Sequence, residues 1–151
     1  MPLQPSEVGG RSRPSCGRCG FIHFGSWTVG VGGLVVVDDQ VLLARRAIAP
    51  AKGTWAIPGG YVESDETLAE AVVRELHEET GVKTEVLATV SVRSVVLAAR
   101  LDTYVVFTLR LIEGEATPDG TENDEVGWFS LSGLHEAEGL TLDPPFVTVS
   151  D

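Results

Sequence analysis

The sequence predicts an α/β (α+β) sandwich, a mixed β-sheet with one strongly marked helix packed against it. Three observations carry this: β-rich apolar runs fill the first third and the centre of the chain, a capped amphipathic helix interrupts them, and the strands resume afterwards. Strands on both sides of a single strong helix disfavour a parallel doubly wound sheet, in which helices alternate with every strand.

Residues 1–25 are rich in Gly, Pro, Ser and Arg and lack periodicity, so they read as an arm or small appended element before a main domain of residues 26–151. "WTVGVGGLVVV" (Trp27–Val37) and "QVLLARR" (Gln40–Arg46) flank Asp38-Asp39 as a hairpin whose first strand is well buried. "WAIPGGYVE" is a short strand broken at Pro58-Gly59-Gly60. The helix spans about Thr67 to Thr80, with Ser64 or Asp65 as its cap and Gly81 as its stop. "KTEVLATVSV" and "LDTYVVFTLRLI" follow as strands, "EVGWFSL" closes the sheet, and "LSGLHEAEGL" is a second, weaker helix.

The net charge of −11 argues against a nonspecific partner for nucleic acid, because phosphate backbones are gripped by dense Lys and Arg. An anionic ligand must be met locally, and Arg45, Arg46, Arg93, Arg100 and Arg110 are the arginines of the β-rich body available for it. No apolar run approaches a membrane span and the start lacks the apolar segment of a signal peptide, so the expected setting is the cytoplasm with no membrane partner.

Seven of the 22 acidic residues fall between Glu63 and Glu79, against one cation, Arg74. On a helical wheel Leu68, Ala71, Val72 and Leu76 form the core stripe, Glu75 and Glu79 fall within it, and Glu78 lies at its edge. Pairing of Glu70 with Arg74 and of Arg74 with Glu78 satisfies part of the cluster, but Glu75 and Glu79 repel one another at i,i+4. Partly desolvated carboxylates take up protons, find cations or cost stability, and hard oxygen ligands on one face suit Mg2+ or Mn2+.

Gly60, then Glu66, then "RELHEETGV" (Arg74–Val82) resembles the Nudix box at each of its fixed positions, and "GTWAIPGG", "VLLARR" and "EVGWFSL" are similar to the same family more loosely. The resemblance implies an α/β/α sandwich and hydrolysis of a nucleoside diphosphate linked to another moiety, ADP-ribose-like, dinucleotide or nucleoside triphosphate, with Mg2+ or Mn2+. It implies Glu75, Glu78 and Glu79 with the carbonyl of Gly59 as metal ligands, and Gly60, Glu66 and Arg74 as box-stabilising residues, Glu66 and Arg74 by ion pairing. Glu75 and Glu79 become candidates for general base, Glu78 joins them in the catalytic set, and Glu63, Glu122 and Glu125 stand as additional acids; Asp124 lies in the same loop. Gly127 stands before Trp128 where some relatives carry a glutamate. The resemblance also implies a homodimer as one assembly.

Consecutive glycines at 59 and 60 allow backbone dihedrals closed to other residues and let a carbonyl approach a cation. Trp27, Trp55 and Tyr104 are candidates for stacking on a base, although aromatics more often belong to the core. Cys16, Cys19 and His23 resemble half of the zinc ribbon that precedes the domain in one branch of the family; zinc at this knuckle, a remnant without metal, or a redox pair are all open. Two other readings compete with the enzyme, a nucleotide-sensing module that binds without turnover and a zinc-dependent interaction module.

Overall fold

A computed structural model describes residues 2–97 and 100–134. The strands are β1 (Gln4–Val8), β2 (Arg11–Ser15), β3 (Ser26–Val37), β4 (Gln40–Arg46), β5 (Trp55–Ala56), β6 (Gly59–Tyr61), β7 (Lys83–Leu97), β8 (Arg100–Glu113) and β9 (Asn123–Ser130), with one helix, α1 (Leu68–Thr80). The main sheet runs β5-β4-β3-β8-β7, with β6 added to β3 and β9 to β4. It is mixed, because β3 pairs with β8 in parallel while the β3–β4, β3–β6, β4–β9 and β7–β8 pairs are antiparallel.

β3 organises the whole. Alternate side chains leave opposite faces of a strand, and both faces of β3 are covered. Val31 and Val35 join Leu42, Ala71, Val72, Leu76, Val105, Phe107 and Leu109 under the helix. Leu34 packs on the other face with Val41, Leu43, Trp55, Ile57 and Phe129. Two-sided burial is why the run reads as nearly continuous apolar sequence. The helix approaches β3 closely at Gly33, where a methyl would come within 2.4 Å of Leu76 Cδ1.

The hairpin turn falls at Asp38-Asp39 as expected, both residues in the left-handed region that such two-residue turns require. The helix starts differently from expectation. Thr67, not Ser64 or Asp65, is its cap: its hydroxyl accepts from Glu70 N–H, and the Glu70 carboxylate accepts from Thr67 N–H, a reciprocal capping box. Glu70 is thereby engaged at the helix start rather than with Arg74. Leu68 is exposed, and burial shifts round the helix to Ala71, Val72, Leu76, Glu79 and Thr80. Gly81 closes the helix with φ 73°, donating to the His77 carbonyl; the His77 side chain is exposed, as expected.

Residues 4–15, read from sequence as lacking periodicity, form the β1–β2 hairpin turning at Gly9-Gly10. Backbone pairing needs no apolar alternation, so polar sequence concealed it. β7 extends beyond Val92 to Leu97 because β8 pairs with it along its whole length. The second helix expected at residues 131–140 and the chain beyond lie outside the described residues except for a turn at 131–134. Among the described residues no helix is long and apolar enough to cross a membrane.

Candidate active site

The site is built where β6 meets α1. Gly59 and Gly60 are strand residues whose φ lies outside the left-handed region, which corrects the reading that they supply unusual dihedrals. They are needed for closeness. A methyl on Gly59 would lie 2.1 Å from the Val31 carbonyl oxygen, and one on Gly60 would lie 2.5 Å from the Glu75 carboxyl carbon. The first bare position therefore lets β6 lie against β3, and the second lets the helix bring Glu75 against the sheet.

Glu79 is the most deeply placed of them, with 9% of its surface exposed. Its Oε2 accepts from Gly59 N–H at 2.8 Å. Burial pushes its carboxyl up to about 7, against the pull of the Gly59 N–H, with the charges of Glu75 and Glu122 adding to the rise. Asn123 lies beside it and contributes a weaker pull in the same direction as Gly59 N–H, while its Nδ2, itself buried, has no hydrogen-bond partner among the described residues. Glu75 is also raised by burial, opposed by the Arg74 guanidinium.

Arg74 is the hub. Nε and Nη2 hold the two oxygens of Glu66 at 2.9 and 2.6 Å, Nη1 reaches Glu75 at 2.8 Å and Glu78 at 3.2 Å, and Nη2 also donates to the Tyr61 carbonyl. This bidentate grip, with an N–H from Glu63, holds the Glu66 carboxyl down at about 2, and the same contacts raise the guanidinium further. One planar fork thus fixes the loop before the helix and two carboxylates on it.

Among the described residues no three His, Cys, Asp or Glu stand gathered to hold a metal in this arrangement. At the box, Arg74 holds Glu75 and Glu78 to itself. The donor chemistry nevertheless fits a hard divalent cation: a desolvated carboxylate raised by two neighbouring acids is a site short of positive charge.

The other expected acids separate. Glu122 stands close enough for its charge to raise both Glu75 and Glu79. Glu125 and Asp124 are instead bound to Arg45 at 2.7 and 2.8 Å. Glu63 is exposed and gives its backbone N–H to Glu66. Of the arginines, Arg100 pairs with Asp102 and Arg110 with Glu85, whereas Arg46 and Arg93 line concavities.

A cleft of about 360 Å³ opens over Glu79, lined by Arg46, Thr54, Gly59, Tyr61, Tyr104 and Asn123 among others. A larger one of about 680 Å³ adjoins it, sharing Tyr61 and Tyr104. Sequence reading passed over Asn123 and Tyr61. The signal for Asn123 was an uncharged polar residue amid the acids of "TENDEVGW", and for Tyr61 a large aromatic directly after the glycine pair. Trp55 belongs to the core, edge-on to Phe129 at 4.7 Å between centroids, and Trp27 is exposed.

At the knuckle, Cys16 N–H donates to the Phe21 carbonyl and Gly20 N–H to that of Cys16. N–H groups of Cys19 and Arg18 and the Cys19 thiol lower the Cys16 thiol. His23 gives its N–H to the Pro14 carbonyl and does not complete a three-residue metal group with the thiols.

Comparison with known proteins agrees with this architecture. The chain is 38% identical over 114 residues to a protein of Methanocaldococcus jannaschii named ADP-ribose pyrophosphatase, an alignment covering 70% of this chain and 63% of that one. It is 31% identical over 120 residues to the NAD-capped RNA hydrolase NudC of Pseudomonas aeruginosa, covering 79% of this chain and 42% of that one. The chain thus spans less than two thirds of these curated relatives. The solved structure of a NUDIX hydrolase from Nitrosomonas europaea superimposes with a TM-score of 0.71 at 31% identity, over 86% of this chain and 73% of the other. The model of the NUDIX domain matches residues 27–148, which takes in the sheet, the helix and every carboxylate of the cleft, and on that match the chain belongs to the NUDIX domain family.

Proposed function

We propose that this chain is a Mg2+- or Mn2+-dependent pyrophosphohydrolase that cleaves the diphosphate linkage of a small nucleoside diphosphate derivative. The observation that carries the reading is Glu79, a carboxylate buried at the base of a cleft, pinned by Gly59 N–H and pressed upon by the charges of Glu75 and Glu122. The names of the archaeal and Pseudomonas relatives support a nucleotide diphosphate as substrate.

Glu75, Glu78 and Glu79, with the Gly59 carbonyl, would hold the divalent ion, which when bound supplies neutralisation of phosphate oxygens and a more acidic water. The remaining work falls to side chains of the cleft. Arg46 offers positive charge to a phosphate in a chain of net charge −11. Glu79, Glu75 or Glu122 accepts the proton of the attacking water. Arg74 fixes the direction of Glu75, and through Glu66 the loop between β6 and α1. The free thiols Cys16 and Cys19 fit the reducing cytoplasm.

A phosphate-release assay over a panel of nucleotides with Mg2+, run beside Glu78→Gln and Glu79→Gln, tests the reading. Hydrolysis of at least one nucleoside diphosphate derivative, lost in both variants, is expected. Binding without turnover in the unmodified chain, or full activity in both variants, overturns it.

A further inference from the structure

The row Tyr61, Gly30, Tyr104 crosses three adjacent strands. Gly30 of β3 is paired with Tyr61 of β6 on one side and with Tyr104 of β8 on the other. Directly paired residues project to the same face of a sheet, so two phenol rings stand on either side of a position with no side chain. That face is opposite to the one covered by α1, since Val29 and Val31 alternate with Gly30 and Val31 lies in the core under the helix.

The Tyr104 ring is laid down along β3. A methyl on Gly30 would come within 2.8 Å of Tyr104 Cδ2, and one on Gly32 within 2.3 Å of its hydroxyl oxygen. Any side chain at either position would stand the ring up. The two glycines therefore convert Tyr104 from an upright side chain into a flat floor, and that floor lies where the 360 Å³ cleft over Glu79 runs into the 680 Å³ cavity. Tyr61, with 66% of its surface exposed, forms the rim common to both.

The rest of the larger cavity is built from Thr28, Arg93, Ser94, Val95, Asp102 and Thr103. Hydroxyl, carboxylate and guanidinium groups around an aromatic floor suit a heteroaromatic ring, which offers a π-face to stack and donors and acceptors at its edge. A volume of about 680 Å³ lies within the range of small-molecule sites. Gly59 lines the cleft with Glu79, and its neighbour Gly60 lines the cavity. Cleft and cavity thus adjoin along Gly59-Gly60, as one extended molecule with a diphosphate at the first and a nucleoside at the second would require.

We propose that the cavity floored by Tyr104 and rimmed by Tyr61 is the nucleobase subsite of the substrate, in which the base stacks on the Tyr104 ring. This rests on the hydrolase reading for its substrate, yet it separates from it by experiment. Base–aromatic stacking sets the expected scale, about tenfold per stacked base as a conservative figure.

The experiment compares kcat/KM for ADP-ribose with that for 5-phosphoribosyl diphosphate, which has a diphosphate and a sugar but no base, in the unmodified chain, Tyr104→Leu and Tyr61→Ala. Tyr61→Ala removes an exposed side chain and keeps the test open should Tyr104→Leu not fold. The preference for the base-bearing substrate is expected to fall about tenfold in Tyr104→Leu and less in Tyr61→Ala. A preference unchanged within about twofold in both folded variants overturns the proposal. In parallel, ADP is titrated into 15N-labelled chain without divalent ion. Shifts at Gly30, Tyr61, Arg93 and Tyr104 support the subsite even if the unmodified chain hydrolyses nothing, and shifts confined to residues outside the cavity overturn it even if hydrolysis is robust.

Discussion

Gly59 N–H and Glu79 Oε2 lie 2.8 Å apart, joining a strand to the last turn of the helix across twenty residues of sequence. This bond holds a carboxylate where burial opposes its charge, and the consequences are measurable in the metal-free protein.

Glu79 titrates at about 7 in the fold against 4.5 in its absence. Between those values the folded chain holds a proton that the unfolded chain has lost, so the Glu79 contribution destabilises progressively as pH rises from 4.5 to 7. The shift corresponds to about 3 kcal/mol at the upper end. Chemical denaturation with chelator present should show Glu79→Gln with a flatter stability profile than the unmodified chain across this window. Parallel profiles would refute the assignment.

With Glu79 in the proposed ligand set, Mn2+ in the cleft takes it as carboxylate, so ion binding is expected to expel its proton. Calorimetry in two buffers of different ionisation enthalpy is expected to find most of a proton released per ion at pH about 6 and little at pH about 8. Equal release at both would mean that another group takes part.

Glu66 shifts the opposite way, to about 2, because Arg74 holds both of its oxygens. A depressed carboxylate contributes stability that is complete above 4.5 and disappears as pH falls towards 2. Glu66→Gln should therefore be less stable than the unmodified chain at pH about 6, with the gap closing near pH about 2. The two carboxylates have adjoining windows, so one titration series resolves them. A gap that persists at the acid end would show that packing, not charge, is what Glu66 supplies.

The adjacent glycines should fail in different ways. At Gly59 an added methyl meets the backbone of Val31 at 2.1 Å and of Gly32 at 2.7 Å, so Gly59→Ala should cost stability, about 1–3 kcal/mol or more. At Gly60 it meets the movable end of Glu75, so Gly60→Ala should fold while losing on the order of 100-fold in turnover from a displaced carboxylate. Thermal melts beside kinetics separate the two; the reverse pattern would contradict the geometry.

Much of this is legible in the sequence. The hairpin at Asp38-Asp39, the helix ending at Gly81 and the burial of Glu79 follow from turn chemistry and helical period, which are local. The length of β7 depends on its partner β8, and the choice of Glu66 over Glu70 by Arg74, expected from the family resemblance and not from helical spacing, depends on how the loop folds back. Neither is local, so neither has a periodic signature. The glycines were conspicuous in sequence, but their reason is the distance between elements, which pattern alone does not contain.

The parallel pairing of β3 with β8 joins residues more than seventy positions apart, and the helix with its carboxylates lies inside that long crossover. Contacts so remote in the chain form slowly, because a large loop must close before they are rewarded. On the ribosome, the acidic segment emerges well before the strand whose Val105, Phe107 and Leu109 share its helix's core. A nascent chain ending short of Arg100 would carry every box carboxylate and have no completed sheet on which to seat them.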